Sequence, residues 1–327
     1  MRVLINGFGR IGRTLLRQIL TNASHADITV VGLNDIAPLK TCAYLFRYDS
    51  VFGPYPGSVE EGTGGLVVDG KALPFTNFAD ISQADLSGVD VVLECTGKAK
   101  TRDVAGRGLK AGAKSVLISG PSDAADITAV LGANADSIGD AKIVSNASCT
   151  TNAIAPLLQP LHDAFGIARA HITTVHCYTG SQPTVDAPAA SLERSRAAAV
   201  SMVPTSTSAA TQVTRVLPAM ADKLTVSAVR VPCISVSAID AVLQFERPVE
   251  AIEDRLRDLF HDSPLVGLTD DPCVSTDMRA RPESLILALP ETRTVGDRQA
   301  RLFGWYDNEW GFSARMIDMA RRMAARA

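Results

Sequence analysis

The chain has 327 residues, 46% of them hydrophobic and 20% charged, which is long for one domain and comfortable for two, each with its own core. With 32 basic and 35 acidic residues its net charge is −3, so it carries no electrostatic footprint for nucleic acid or an anionic membrane surface, and any anion must be met locally. The start, MRVLINGFGR, lacks the basic and apolar regions of an export signal, and no run approaches the roughly 18 apolar residues of a membrane helix; a soluble, cytoplasmic protein is expected.

RVLIN is a short apolar run, followed by a glycine turn and TLLRQIL with helical spacing. DITVVGLND, GVDVVLECTG, AKSVLISG and AKIVSNAS are compact β-branched runs closed by turn residues and separated by helical or irregular stretches. That alternation predicts an α/β, doubly wound parallel sheet. Beyond about residue 150, HITTVHCYTG, KLTVSAVRVP, SVSAIDAVLQFERP and QARLFGWYDN alternate with period two, as in an antiparallel sheet. Between the first two lies TGSQPTVDAPAASLERSRAAA, a long loop of the kind that is often functional. FSARMIDMARRMAARA reads as a terminal amphipathic helix.

Gly7, Gly9 and Gly12 form GxGxxG between the first strand and the first helix. Asp35 closes the next strand about 20 residues on, where a carboxylate can accept from a ribose hydroxyl, so the pattern reads as a dinucleotide site. GLVVDGKA fits GxxxxGK but has Ala72 where a phosphate loop needs Ser or Thr, and it lies in an expected hairpin, so it is set aside.

The six cysteines, Cys42, Cys95, Cys149, Cys177, Cys233 and Cys273, are too sparse for a disulfide scaffold and never at CxxC spacing, so reduced thiols and no metal are expected. Cys149 sits in SNASCTTN, where a strand gives way to a helix beginning near Thr150. A helix start favours a thiolate, although an ordinary core thiol is the competing reading. Ser148, Thr150 and Thr151 make the surroundings wet and donor-rich, and His176 ends the first strand of the second domain. Histidine is the usual proton partner of a nucleophilic cysteine, but spacing alone does not bring the two together. His25, His162, His171 and His261 have no comparable setting.

Taken together and in order, INGFGRIGR, NDIAPLKTCAYLFRYDSV, SNASCTTN, TTVHCYT, AVRVP and WYDNEWGF resemble the glyceraldehyde-3-phosphate dehydrogenase family over essentially the whole chain. The resemblance implies a Rossmann NAD-binding domain of residues 1–148 joined by a terminal helix 313–327, and an α+β catalytic domain, 149–312, on an antiparallel sheet. It implies Cys149 as nucleophile and His176 as acid/base. Gly7, Gly9, Arg10, Ile11 and Gly12 would meet the pyrophosphate; Asp35 would hold the adenosine ribose, with Asn34 also among the cofactor-binding residues; Thr96 and Ser119 would flank the cofactor, and Asn308 would bind the nicotinamide carboxamide. Thr179 with Arg230 resembles a pocket for the phosphate already on the substrate; Ser148, Arg194, Thr207 and Ser208 resemble one for the attacking inorganic phosphate, and Thr150 is implied as a further substrate- or phosphate-binding residue. A homotetramer is implied, with the long loop near a neighbour's cofactor. The implied reaction oxidises glyceraldehyde 3-phosphate to an acyl phosphate through a Cys149 hemithioacetal and thioester.

Departures from the family pattern accompany the match. Ser208 stands where Gly is usual, Phe312 where Tyr is usual, Phe52 for a common His, and Lys98-Ala99 for Arg-Phe. Ala153 replaces a frequent second cysteine, so oxidised Cys149 is expected to give sulfenic acid or a mixed disulfide. Asp35 and Pro188 favour NAD, while the small Ala187 leaves NADP as a secondary cofactor. The rival readings are erythrose-4-phosphate dehydrogenase or another phosphosugar aldehyde dehydrogenase and, in another class, a cofactor sensor without catalysis, against which the presence of both Cys149 and His176 argues.

Overall fold

The computed structural model describes residues 1–326; the terminal helix was expected to reach 327, and that last residue lies outside the described residues. The chain divides into two compact units: Met1–Ala129 with Ala135–Ala147 and the chain from Ser313 onward, and Val130–Asn134 with Ser148–Phe312.

The first unit carries β1 (Arg2–Asn6), β2 (Thr29–Asn34), β3 (Val59–Gly62), β4 (Gly65–Val68), β5 (Lys71–Thr76), β6 (Val91–Glu94), β7 (Ser115–Ile118), β8 (Ile127–Thr128) and β9 (Ile143–Ser145). They form one sheet in the order β3-β4-β5-β2-β1-β6-β7-β9-β8. β1 pairs in parallel with both β2 and β6, and β6–β7 and β7–β9 continue the parallel core. All four residues of β6 and of β7 are buried, because both faces of such a sheet are covered. This is the doubly wound arrangement that the strand-helix alternation predicts. The set-aside GLVVDGKA stretch is an antiparallel hairpin of β4 on β5.

The second unit carries β10 (Ile167–Cys177), β11 (Val203–Thr205), β12 (Leu224–Val231), β13 (Ser237–Phe245), β14 (Val266–Thr269), β15 (Leu285–Ala288), β16 (Arg293–Val295) and β17 (Gln299–Tyr306). Their order is β11-β12-β10-β13-β17-β15-β14, with β16 pairing β17. β13 is antiparallel to both β10 and β17, as expected. β10–β12 and β14–β15 are parallel, which the expectation of an antiparallel sheet did not include. The reason is the connection: residues 178–223 between β10 and β12 are long enough for a crossover, which a parallel neighbour requires. Beside this sheet lies the helix Cys149–Phe165, whose Ala153, Ile154, Leu157, Leu158 and Leu161 are fully buried. The strands that periodicity does not reveal, β3, β8, β11 and β14–β16, have two to four residues each, too few to establish a period.

Candidate active site

In the first unit, Gly7 turns the chain out of β1 at φ +93°, and a Cβ there would lie 2.6 Å from the backbone of Cys95 and Thr96. A Cβ on Gly12 would lie 2.2 Å from the Gly7 carbonyl oxygen. Both positions therefore need glycine to let helix Arg10–Thr21 start against the strand ends. Gly9 differs: a Cβ there would meet no atom within 4 Å. As the N-cap of that helix it supplies no side-chain cap, so the first-turn N–H groups and the space above them suit a phosphate ligand.

Gly7, Gly9, Asn34, Asp35, Glu94, Thr96, Lys98 and Arg107 are among the residues lining a cavity of about 440 Å³. The Asp35 carboxylate accepts from the Phe8 N–H at 2.6 Å and the Ala37 N–H at 2.8 Å, which anchors the glycine turn. Asn34 acts inward: its Nδ2 donates to Asn6 Oδ1 and the Phe78 carbonyl, and its Oδ1 accepts from Thr76 Oγ1 and the Phe78 N–H. Asn6 in turn donates to Glu94, which also accepts from the Thr96 N–H and hydroxyl. Asn6 and Glu94 were not singled out in the sequence, and the signal for them is weak: polar residues at the ends of apolar strands. Arg10 pairs with Asp49 at 2.5 Å and lies over the ring of Phe52, 5.5 Å from its centroid, so the Phe-for-His departure gives this cation an aromatic face. Ile11 is half-buried in the first turn, and Ser119, just past β7, donates its N–H to the Glu94 carbonyl.

In the second unit Cys149 is the first residue of helix Cys149–Phe165, one residue earlier than expected. Ser148 caps it, its Oγ accepting from the Thr151 N–H at 3.0 Å, while Ala147 before it takes the left-handed conformation at φ 55°. A non-glycine residue there stores local strain and marks a sharp strand-to-helix turn. His176, next to last in β10, brings Nε2 to 3.6 Å from Cys149 Sγ. The parallel register of β10 and β12 sets His176 opposite Arg230. Arg230 Nη1 lies 2.7 Å from His176 Nδ1 and donates to the Cys177 carbonyl at 2.9 Å. That same carbonyl is 2.7 Å from His176 Nδ1. Nδ1 thus faces one donor and one acceptor, and either tautomer of the ring finds a partner.

Burial, and then the Arg230 charge, push His176 down to about 4, so the ring is neutral at pH 7. Crowding around the sulfur pushes the Cys149 thiol up even though the residue keeps some exposure; Arg230, the Thr150 hydroxyl and N–H, and the Cys149 N–H oppose this. The helix start therefore lowers a cost set by desolvation without outweighing it. Thr150 Oγ1 also meets Tyr306 Oη at 2.9 Å, and Tyr306 Oη meets Thr174 Oγ1 at 2.7 Å. The Tyr306 ring sits edge-on to His176 at 6.0 Å. Tyr306 and Thr174 thus tie the nucleophile's helix to the histidine's strand, and neither was foreseen.

The remaining expected residues fall into local groups. Thr179 Oγ1 is 3.0 Å from Ser181 Oγ. Arg194 donates to Thr205 Oγ1 and to the Ser206 carbonyl, beside Thr207 and Ser208. Ser208 is the N-cap of helix Ala209–Val216 but makes no capping bond; Thr207 Oγ1 instead accepts from the Ala209 N–H at 3.1 Å. The exposed Ser208 hydroxyl is left over the helix start. Asn308 follows β17, its Oδ1 accepting from Cys177 Sγ and Ser237 Oγ.

A dinucleotide-type α/β unit joined to a unit with a paired cysteine and histidine defines a class of NAD-linked oxidoreductase that works through a thiol. The chain matches the family described as glyceraldehyde 3-phosphate dehydrogenase, NAD binding domain, over residues 1–102, and the one described as its C-terminal domain over residues 148–308. It is 44% identical to a glyceraldehyde-3-phosphate dehydrogenase of Xanthobacter flavus over 99% of this chain and 98% of that protein. It is 43% identical to that of Cereibacter sphaeroides and 44% to that of Pseudomonas aeruginosa, each covering 99% of this chain and 98% of the relative. The chain belongs to the glyceraldehyde-3-phosphate dehydrogenase family, and NAD is its cofactor.

Proposed function

We propose that this chain catalyses the NAD-dependent, phosphorylating oxidation of D-glyceraldehyde 3-phosphate to 1,3-bisphosphoglycerate. The observation that carries the proposal is the thiol of Cys149, first residue of its helix, 3.6 Å from the Nε2 of a buried, neutral histidine. His176 Nε2 takes the thiol proton as sulfur bonds to the aldehyde carbon, and the Cys149 N–H faces the oxygen that gains charge. His176 passes that proton to the oxygen, completing the hemithioacetal, and, neutral again, takes it back from the hydroxyl as the carbonyl of the thioester forms. NAD, when bound, supplies the acceptor for the hydride. Cys149 holds the resulting thioester until inorganic phosphate attacks its carbonyl carbon; the C–S bond breaks, the acyl phosphate leaves, and the sulfur recovers its proton.

Gly7, Gly9, Arg10, Ile11 and Gly12 hold the pyrophosphate, Asp35 the ribose, Thr96 and Ser119 the flanks, and Asn308 the carboxamide. Asn34 shapes the pocket from behind. Arg230 leaves His176 to join Thr179 on the substrate phosphate; Ser148, Thr150, Arg194, Thr207 and Ser208 receive the attacking phosphate. The functional domains are residues 1–148 with 313–327, and 149–312. The enzyme is a cytoplasmic, glycolytic homotetramer with no nucleic-acid or membrane partner; exposed Val185, Leu192, Val200 and Met202 on and just after the long loop support its cover by another copy. No helix among the described residues is long and apolar enough to cross a membrane.

NADH formation from glyceraldehyde 3-phosphate and from erythrose 4-phosphate, with and without inorganic phosphate, tests this. Sustained turnover that needs phosphate and favours glyceraldehyde 3-phosphate is expected, as the names of the relatives support. Preference for the four-carbon sugar, or full turnover without phosphate, would overturn it.

A further inference from the structure

Three strand ends meet behind the histidine. β10 ends at Cys177, β13 begins at Ser237, and Asn308 lies two residues past Tyr306, the residue that pairs with Ser237 in the β13–β17 register. Cys177 and Ser237 are each 1% exposed, and Asn308 is 8% exposed. The backbone around Asn308 is fixed by Asp307, whose Oδ1 accepts from the Glu309 and Trp310 N–H groups and whose Oδ2 accepts from the Ala280 N–H.

Within this frame the hydrogen bonds run one way. The Cys177 N–H donates to Ser237 Oγ at 3.2 Å, so the Ser237 hydroxyl proton is free to donate in turn. It does so to Asn308 Oδ1 at 3.3 Å, and the Cys177 thiol donates to the same oxygen at 3.1 Å. Burial pushes the Cys177 thiol up to about 12, so it keeps its proton and remains a donor. Turning the Asn308 amide over would set its NH2 against two buried donors and leave both without an acceptor. Both bonds to the amide end on Oδ1, and Nδ2 has no hydrogen-bond partner among the described residues.

The geometry points to Cys177 and Ser237 as positioning residues that lock the Asn308 amide with Oδ1 inward, so that Nδ2 is the group offered to the carboxamide oxygen of a nicotinamide ring. This rests on the reading of Asn308 as the carboxamide ligand, and it adds a direction: the enzyme recognises the carboxamide as an acceptor. A ring substituent with an oxygen but no NH2 satisfies the same donor.

Equilibrium titration of the intact protein with NAD, with 3-acetylpyridine adenine dinucleotide and with ADP-ribose, which has no ring, reads this directly. Wild type binds the acetylpyridine dinucleotide within about threefold of NAD, because the ketone keeps the oxygen and lacks only the NH2. Cys177→Ala and Ser237→Ala each weaken NAD by roughly five- to tenfold and leave ADP-ribose within about twofold, the loss expected when one orienting hydrogen bond is removed. Cys177→Ser, which keeps a donor, restores NAD affinity. A wild-type preference for NAD over the ketone of more than about tenfold overturns the assigned direction. Equal losses for NAD and ADP-ribose, or no loss in either alanine variant, overturn the positioning role. Asn308→Ala separates the two layers: if it preserves the NAD-to-ADP-ribose ratio, the reading of Asn308 itself falls; if it abolishes that ratio while the two alanine variants keep it, only the positioning falls.

Discussion

In the dinucleotide pocket of the first unit, Gly7, Gly9 and Gly12 contribute backbone and empty space within one turn of chain. In the second unit Cys149 and His176 are side chains 27 residues apart, brought together by a helix start and a strand end. The first arrangement is local, and its requirements are steric. The second depends on long-range pairing, and its requirements are electrostatic: burial holds the imaginable charges of thiol and imidazole off until a reaction supplies them. A substitution in the pocket should therefore act through folding or cofactor affinity, and one at the thiol site through rate.

His176→Asn should lower kcat by a factor on the order of 10²–10⁴, the usual contribution of a positioned proton acceptor, with KM for NAD little changed. Steady-state kinetics in both substrates check this, and an equal rise in KM would blur the distinction between the sites. In the pocket, Gly7→Ala should cost roughly 2–4 kcal/mol of stability, since it combines a left-handed φ with a 2.6 Å clash against backbone. Gly9→Ala, which meets no atom of the chain, should leave the urea midpoint unchanged and weaken NAD binding about tenfold. Equal loss of stability in the two variants would contradict this account of the glycines.

The contrast also has a pH signature. His176 sits at about 4 in the folded chain against 6.5 for an ordinary histidine, so the unfolded chain binds the extra proton between those values. Stability from this group is complete above about 6.5 and is lost as pH falls toward 4, a loss of roughly 3 kcal/mol. The urea midpoint should fall less between pH 7 and pH 4.5 in His176→Asn than in wild type. Tyr306→Phe should have the smallest effect: it leaves the Thr150 and Thr174 hydroxyls without their shared partner, at a cost of about 1–2 kcal/mol in stability and a severalfold drop in kcat.

Legibility in the sequence follows the same division. GxGxxG, the Asp35 that follows it and the strand-to-helix change at Cys149 are contiguous signals, because each is set by neighbours in the chain. His176 was legible as the end of a strand. Its contact with Arg230 was not, because it depends on a parallel β10–β12 register in a sheet whose period suggested antiparallel pairing throughout. Tyr306 lies 156 residues from Thr150, and no local pattern announces that bond. Asn34 was legible as a pocket residue, yet the direction of its amide, into the fold, is decided by Asn6, Thr76 and Phe78 on other elements. In the sequence Cys177 reads only as one of six reduced thiols; the meeting of β10, β13 and the turn after β17 is what gives it Asn308 as a partner.

The central claim, covalent catalysis by Cys149 with His176 as its proton partner, is tested most directly by intact-protein mass. After glyceraldehyde 3-phosphate and NAD are mixed with enzyme in the absence of inorganic phosphate and quenched in acid, wild type should carry one 3-phosphoglyceroyl group per chain, mapped to Cys149, and added phosphate should remove it. Cys149→Ser should carry none. An acyl group on another residue, or undiminished NADH formation in the serine variant, would contradict the account.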